Sequence, residues 1–169
     1  LSLYKEYTAN RQAFDAALFE HLEVVGITVF LSLLVGLPVG VLAFRRMRVR
    51  IWLLNVLNVI QTIPSIALFA FLLAPLAWLA GRFPWLADMG VHGVGTAPAV
   101  IALTLYSLLP IVRATVVGLQ NVPPAVVDAA RGMGMDSLQV LSLVHVRLAL
   151  PVIVSGIRVA AVQTIGLTA

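Results

Sequence analysis

Long uncharged apolar stretches alternate with short polar ones along this chain. Residues 24–44 carry no charge, and neither do residues 51–80. Residues 93–112 form a third apolar stretch and residues 148–169 a fourth, interrupted by Arg158. A helix crosses a bilayer core with roughly 20 apolar residues, so the pattern predicts four membrane spans. The second stretch is longer than a span requires and must tilt, kink or begin in the interface, with Pro64 and Pro75 as the expected kink points. Ahead of the first span, Phe14, Leu18, Leu22 and Val25 recur at helical spacing among Arg11, Asp15, Glu20 and Glu23. This predicts an amphipathic interfacial helix over residues 1–23, running into the first span. The chain stops inside or just after the fourth span with no closing polar segment, so at least one more helix is expected beyond Ala169.

Composition agrees with lipid as the main solvent. Of 169 residues, 61% are hydrophobic and 11% charged, against about 45–50% and about 25% in soluble domains. The net charge of +4 does not point to nucleic acid, because the basic residues cluster beside apolar segments as topology charges do. Arg45, Arg46, Arg48, Arg50, Arg113, Arg131, Arg147 and Arg158 fall on one face of a four-span layout, and only Lys5, Arg11 and Arg82 on the other. By the positive-inside rule the first group is cytoplasmic, which puts the N-terminus outside and Asp128 inside. Residues 81–97 then form an outer connection, with Trp78 and Trp85 at the level of an aromatic belt.

The candidate chemistry is sparse. There is no cysteine, which excludes disulfides, thiol catalysis and cysteine-ligated metals. His21, His92 and His145 are far apart and read as interfacial polar residues rather than ligands. No GxxxxGK[ST] phosphate loop and no nucleophile elbow occurs, so the chain reads as no enzyme, with no cofactor of its own. Gly36 and Gly40 form a small-xxx-small pair suited to close helix packing. Asn58, Gln61, Thr62 and Ser65 follow three- and four-residue spacings and share a face of the second span. Amides and hydroxyls in lipid must face protein or water, so these four are either part of a translocation path or interhelical hydrogen-bonding groups. Arg158 either snorkels to the cytoplasmic side or faces the bundle interior.

The most informative segment is residues 127–151, the most polar long stretch between two apolar ones. Pro123-Pro124 signals a helix start. Residues 125–133 can form two turns, with Asp128 placed near the start, where the dipole favours an acid. Gly132 and Gly134 weaken and end the helix. Asp136-Ser137-Leu138-Gln139 then resembles a capping box opening a second helix toward Pro151. Two helices meeting at a glycine corner, with small Ala129 and Ala130 on one face, are compact enough to enter a cleft on a partner.

These residues resemble the permease subunits of binding-protein-dependent ATP-binding-cassette importers. That signature is Glu-Ala-Ala, three residues, Gly, then nine residues and a short apolar-Leu-Pro element. Here Asp128-Ala129-Ala130 and Gly134 match, with Asp for Glu, while Arg147 stands where the signature proline would be and Pro151 follows four residues later. The run from Gln61 to Phe69 is similar to the second-span motif of the osmoprotectant branch, which imports glycine betaine, choline, carnitine and related quaternary amines. So are the runs 21–27, 36–40 and 149–158.

The resemblance implies an all-α polytopic transmembrane bundle of the type I importer permease kind, with a core of five helices, the last missing here. It implies a subunit of a dimeric pore, homodimeric or heterodimeric, in a bacterial or archaeal cell membrane. An extracytoplasmic solute-binding protein would deliver a quaternary amine. Cytoplasmic ATPases, which bind the ATP, would grip the cytoplasmic coupling segment (residues 113–147) at Asp128, Ala129, Ala130, Gly132 and Gly134. Competing readings are a permease for another small solute such as an amino acid, and a secondary transporter or channel in which that corner would be idle.

Overall fold

The computed structural model describes residues 11–85 and 96–168. Its helices are α1 (Arg11–Arg45), α2 (Met47–Thr62), α3 (Ser65–Arg82), α4 (Thr96–Gln120), α5 (Pro124–Gly132) and α6 (Ser137–Thr168). Among them α1, α3, α4 and α6 are long and apolar enough to cross a membrane. The fold is an all-α transmembrane bundle.

α4 is its axis. It packs against α1, α2, α3 and α6, and Ile111, Val112 and Leu119 on it are fully buried. Lipid tails are as apolar as leucine, so helices in a bilayer associate through close packing rather than through hydrophobic exclusion. The sequence provides for that with small residues. On α1 the buried positions are Val25, Thr28, Ser32, Gly36, Gly40 and Ala43, one stripe at helical spacing. A Cβ at Gly36 would lie 2.9 Å from Ile111 Cγ2, and one at Gly40 would lie 2.7 Å from Thr115 Cβ. On α6 the stripe is Ala149, Ile153, Gly156, Ala160 and Thr164. A Cβ at Gly156 would collide with Ala114 Cβ and sit 2.9 Å from the Pro110 carbonyl oxygen. Several buried hydroxyls at these contacts bond back to their own helix: Ser32 donates to Thr28 O at 2.7 Å, Thr115 of α4 to Ile111 O at 2.8 Å and Thr164 to Ala160 O at 2.8 Å. Ser107 and Thr164 hydroxyls also meet across α4 and α6 at 2.8 Å.

The chain runs antiparallel across α4 in two pieces. Leu57 of α2 packs in one cluster with Leu109, Val112 and Val116, and Leu68 of α3 in another with Ala102 and Tyr106. Between them Pro64 breaks the helix. It disfavours helical backbone at the residue before it, and Ile63 is extended at φ −76° and ψ 128°. Arg45 ends α1 at one end of the bundle, beside the C-terminus of α4 and the start of α6. There the Phe44 and His145 rings meet at a tilt of 55° with 5.1 Å between centroids, and His145 Nδ1 lies 3.1 Å from Leu119 O. At the opposite end His21 Nε2 lies 3.3 Å from Thr168 Oγ1.

Several expected boundaries move. The stretch 24–44 lies inside one 35-residue helix, roughly 52 Å long at 1.5 Å per residue. Residues 11–23 are thus continuous with the first span, with no break at residue 23. Residues 1–10 lie outside the described residues, as does His92. The stretch 51–80 is two helices, because Pro64 ends the first. The stretch 93–112 becomes Thr96–Gln120, so Arg113 lies within α4 and not in a segment after it. The helix that opens at Ser137 runs on past residue 148 into the fourth span without a break. Pro151 sits inside it, and residues Val140–His145 form a π-helical turn, a device that absorbs one extra residue without breaking a helix.

Candidate functional site

The corner between α5 and α6 is built by local rules. Pro124 takes the first helical position, where its missing N–H costs nothing. At the other end Gly134 N–H donates to Arg131 O at 2.9 Å and Met135 N–H to Ala130 O at 3.2 Å. That bond pair is a Schellman motif, which requires a left-handed residue after the helix. Gly134 supplies it at φ 84°, the one positive φ among the described residues. A Cβ at Gly134 would meet nothing within 4 Å, so backbone conformation and not space demands glycine there. Gly132 is ordinary helix with open space around it.

α6 then opens with the expected capping box. Asp136 Oδ1 accepts from Leu138 N and Gln139 N, both at 2.8 Å, and Gln139 Oε1 accepts from Asp136 N at 2.9 Å. A short helix and the start of a long one are thus joined by a defined corner.

Of the expected corner residues, Asp128, Ala129, Gly132 and Gly134 are exposed. Ala130 is buried, as is Val140 in the π turn that α5 packs against. Ala130 therefore fixes the angle of α5 while its neighbours present the surface. Asp128 lies in the second turn, since α5 has no acid in its first; the dipole effect has fallen off there, so its carboxylate is free for other work. Met133 and Leu138, at 72% and 66% exposure, flank the corner. The sequence reading passed over Met133; its position between two glycines at a helix end was the available signal.

The four polar residues of the second stretch do not stay together. Arg113 Nη2 donates to Asn58 Oδ1 at 2.8 Å. Gln61 Nε2 donates to Tyr106 O at 2.9 Å. Thr62 Oγ1 bonds only to Val59 O of its own helix, at 2.7 Å. Ser65 stands beyond the break, on α3. The Gln61 bond has a cause in α4. Pro110 has no N–H, so it leaves the carbonyl of Tyr106, four residues earlier, without its helical donor. Gln61 restores that bond from a neighbouring helix, the usual way a membrane helix tolerates proline. Gln61 and Arg113 also line a cavity of about 440 Å³ with Ser155 and Gln163 of α6. Ser65 lines a different cavity, of about 450 Å³, at the His21–Thr168 end. Arg158 is exposed and so does not face the interior of this bundle. Among the described residues no group of three or more histidine or acidic side chains could hold a metal ion.

Residues 32–169 match the family model described as the binding-protein-dependent transport system inner membrane component. The osmoprotectant import permease protein OsmW of Salmonella typhimurium is 43% identical over 96% of this chain and 71% of its own length. The carnitine transport permease protein OpuCD of Listeria monocytogenes is 35% identical over 96% of this chain and 66% of its own. The glycine betaine/carnitine/choline transport system permease protein OpuCD of Bacillus subtilis is 40% identical over 83% of this chain and 55% of its own. The chain thus spans between about half and 71% of the length of these relatives. Among solved structures, an inward-facing form of the MetNI methionine ABC transporter superposes with a TM-score of 0.72 over 88% of this chain and 68% of that one, at 22% identity. That likeness bears on the fold.

Proposed function

The chain belongs to the binding-protein-dependent transport system inner membrane component family, and on that premise we propose that it is the permease subunit of an ATP-driven importer of quaternary amine osmoprotectants. It is a transport subunit, not an enzyme. The solute class follows from relatives named for glycine betaine, carnitine and choline. The observation that carries the coupling role is the Schellman corner at Gly134: a rigid, exposed helix–glycine–helix element beside the arginine-rich end of the bundle.

In this reading the arginine-rich end is cytoplasmic and the N-terminus lies outside. A cytoplasmic ATPase receives the corner through Asp128, Ala129, Gly132 and Gly134, with Ala130 holding α5 in place. α6 is continuous from the corner into its membrane-spanning part, so a push on the corner is carried along α6 and, through the Gly156 contact, to α4. Nucleotide then biases the bundle between two access states. A second permease subunit completes the pore, and Asn58, Gln61, Thr62 and Ser65 mark the wall of the solute path. A solute-binding protein delivers from outside.

Reconstitution of the full-length permease in liposomes tests this. ATPase, binding protein and labelled glycine betaine, choline or carnitine are supplied, and each component is omitted in turn. Uptake should require all of them. Uptake by the permease alone on an ion gradient would instead identify a secondary transporter, and ATP-dependent uptake of another solute class alone would discard the substrate.

A further inference from the structure

The cavity of about 450 Å³ at the His21–Thr168 end is walled by all four membrane-crossing helices. That size falls within the range of small-molecule sites, roughly 300–1,000 Å³. Its chemistry is uneven. Glu20 and His21 of α1 contribute a carboxylate and an imidazole, and no lysine or arginine among the described residues lines it. Phe69 of α3 and Tyr106 of α4 contribute aromatic rings, and Val24, Ile66 and Leu103 apolar surface. Tyr106 is 6% exposed, and its hydroxyl has no hydrogen-bond partner among the described residues. An orphaned buried hydroxyl in a cavity wall calls for a water or ligand oxygen.

A cavity lined by a carboxylate and aromatic rings, with no lysine or arginine among the described residues of its wall, is an environment that attracts a quaternary ammonium ion. Such an ion cannot donate hydrogen bonds, so it is held by ring faces and countercharge. We propose that this cavity is a binding site on the permease itself for the trimethylammonium end of the solute, with Glu20 as countercharge and Phe69 and Tyr106 as aromatic wall. The inference rests on the osmoprotectant reading for the identity of the solute and for the cavity's opening outward. Glycine betaine, carnitine and choline share the trimethylammonium group; the first two also carry a carboxylate, which Glu20 repels. The site therefore holds choline more tightly than glycine betaine.

Two arms test it on the full-length permease assembled with its ATPase in nanodiscs. The first measures binding of tritiated choline without the binding protein, with tetramethylammonium as competitor. Displaceable binding is expected. It should weaken roughly tenfold in Glu20→Gln and severalfold in Phe69→Leu, the scale of a lost countercharge or ring face, and recover in Glu20→Asp. Size exclusion of each assembled complex controls for folding. Absence of displaceable choline binding in the wild type, or wild-type affinity in both Glu20→Gln and Phe69→Leu, overturns the site. The second arm measures uptake with the binding protein present. A wild type that imports quaternary amines while the site variants import choline at unchanged KM overturns the site and leaves the osmoprotectant reading standing. A wild type that imports none of them overturns that reading, and the binding arm still decides the site.

Discussion

Removing the amide of Gln61 should destabilise the bundle because of a proline on another helix. Pro110 cannot donate to the Tyr106 carbonyl, and Gln61 Nε2 does so at 2.9 Å. Gln61→Leu keeps most of the volume and strips the donor. A buried acceptor left without a partner costs about 1–3 kcal/mol, although measured interhelical hydrogen bonds in membranes average about 0.6 kcal/mol and reach about 1.7. A loss of about 1 kcal/mol is therefore expected. The sharper test is a double-mutant cycle. Pro110→Ala returns an N–H at the position that serves Tyr106 O within α4. Gln61→Leu should then cost little, and the coupling between the two substitutions should be about 1 kcal/mol. Unfolding of the full-length permease in mixed micelles, titrated with a denaturing detergent and followed by tryptophan fluorescence, provides the four free energies. Equal costs of Gln61→Leu with and without the proline would refute the reasoning and return Gln61 to a role in the solute path alone.

Gly134→Ala should cost about 1–2 kcal/mol because it puts a Cβ on a left-handed residue, whereas Gly132→Ala, in open helical space, should stabilise by about 0.5–1 kcal/mol; paired melting curves compare them. Gly134→Val, which is worse still in that conformation, should abolish ATP-driven uptake at normal expression, and normal uptake would argue against the coupling corner. Gly156→Ala should loosen the α4–α6 contact by about 1–3 kcal/mol through overpacking against Ala114 and the Pro110 carbonyl, and an unchanged melting temperature would show that the contact is softer than drawn. A cysteine placed at Ser137, in a chain with no native cysteine, should resist an impermeant maleimide added outside intact cells; labelling there would invert the topology.

Much of this protein could be read without coordinates, and the features that could were local. The apolar stretches need only enough length to cross a bilayer, so the helical bundle followed from composition and spacing. The corner was legible because a Schellman turn and a capping box are made by contiguous residues. Gly134, Asp136 and Gln139 do there what their side chains and backbones favour anywhere. Pro64 as the breaking point of the second stretch was legible for the same reason.

What the tertiary structure decided lies between helices. Four polar residues spaced along one sequence face went to four different partners or cavities, because Pro64 reorients the chain after Thr62 and because α4 offers Asn58 a guanidinium and Gln61 an orphaned carbonyl. Gly156 was not singled out in the sequence any more than Gly26 and Gly166, yet of these three it alone meets a neighbour within 4 Å. The π turn at residues 140–145, against which α5 packs, was hidden too. Helix propensity is a property of neighbours in sequence, whereas a freed carbonyl, a close-packed glycine and a cavity wall are properties of neighbours in space.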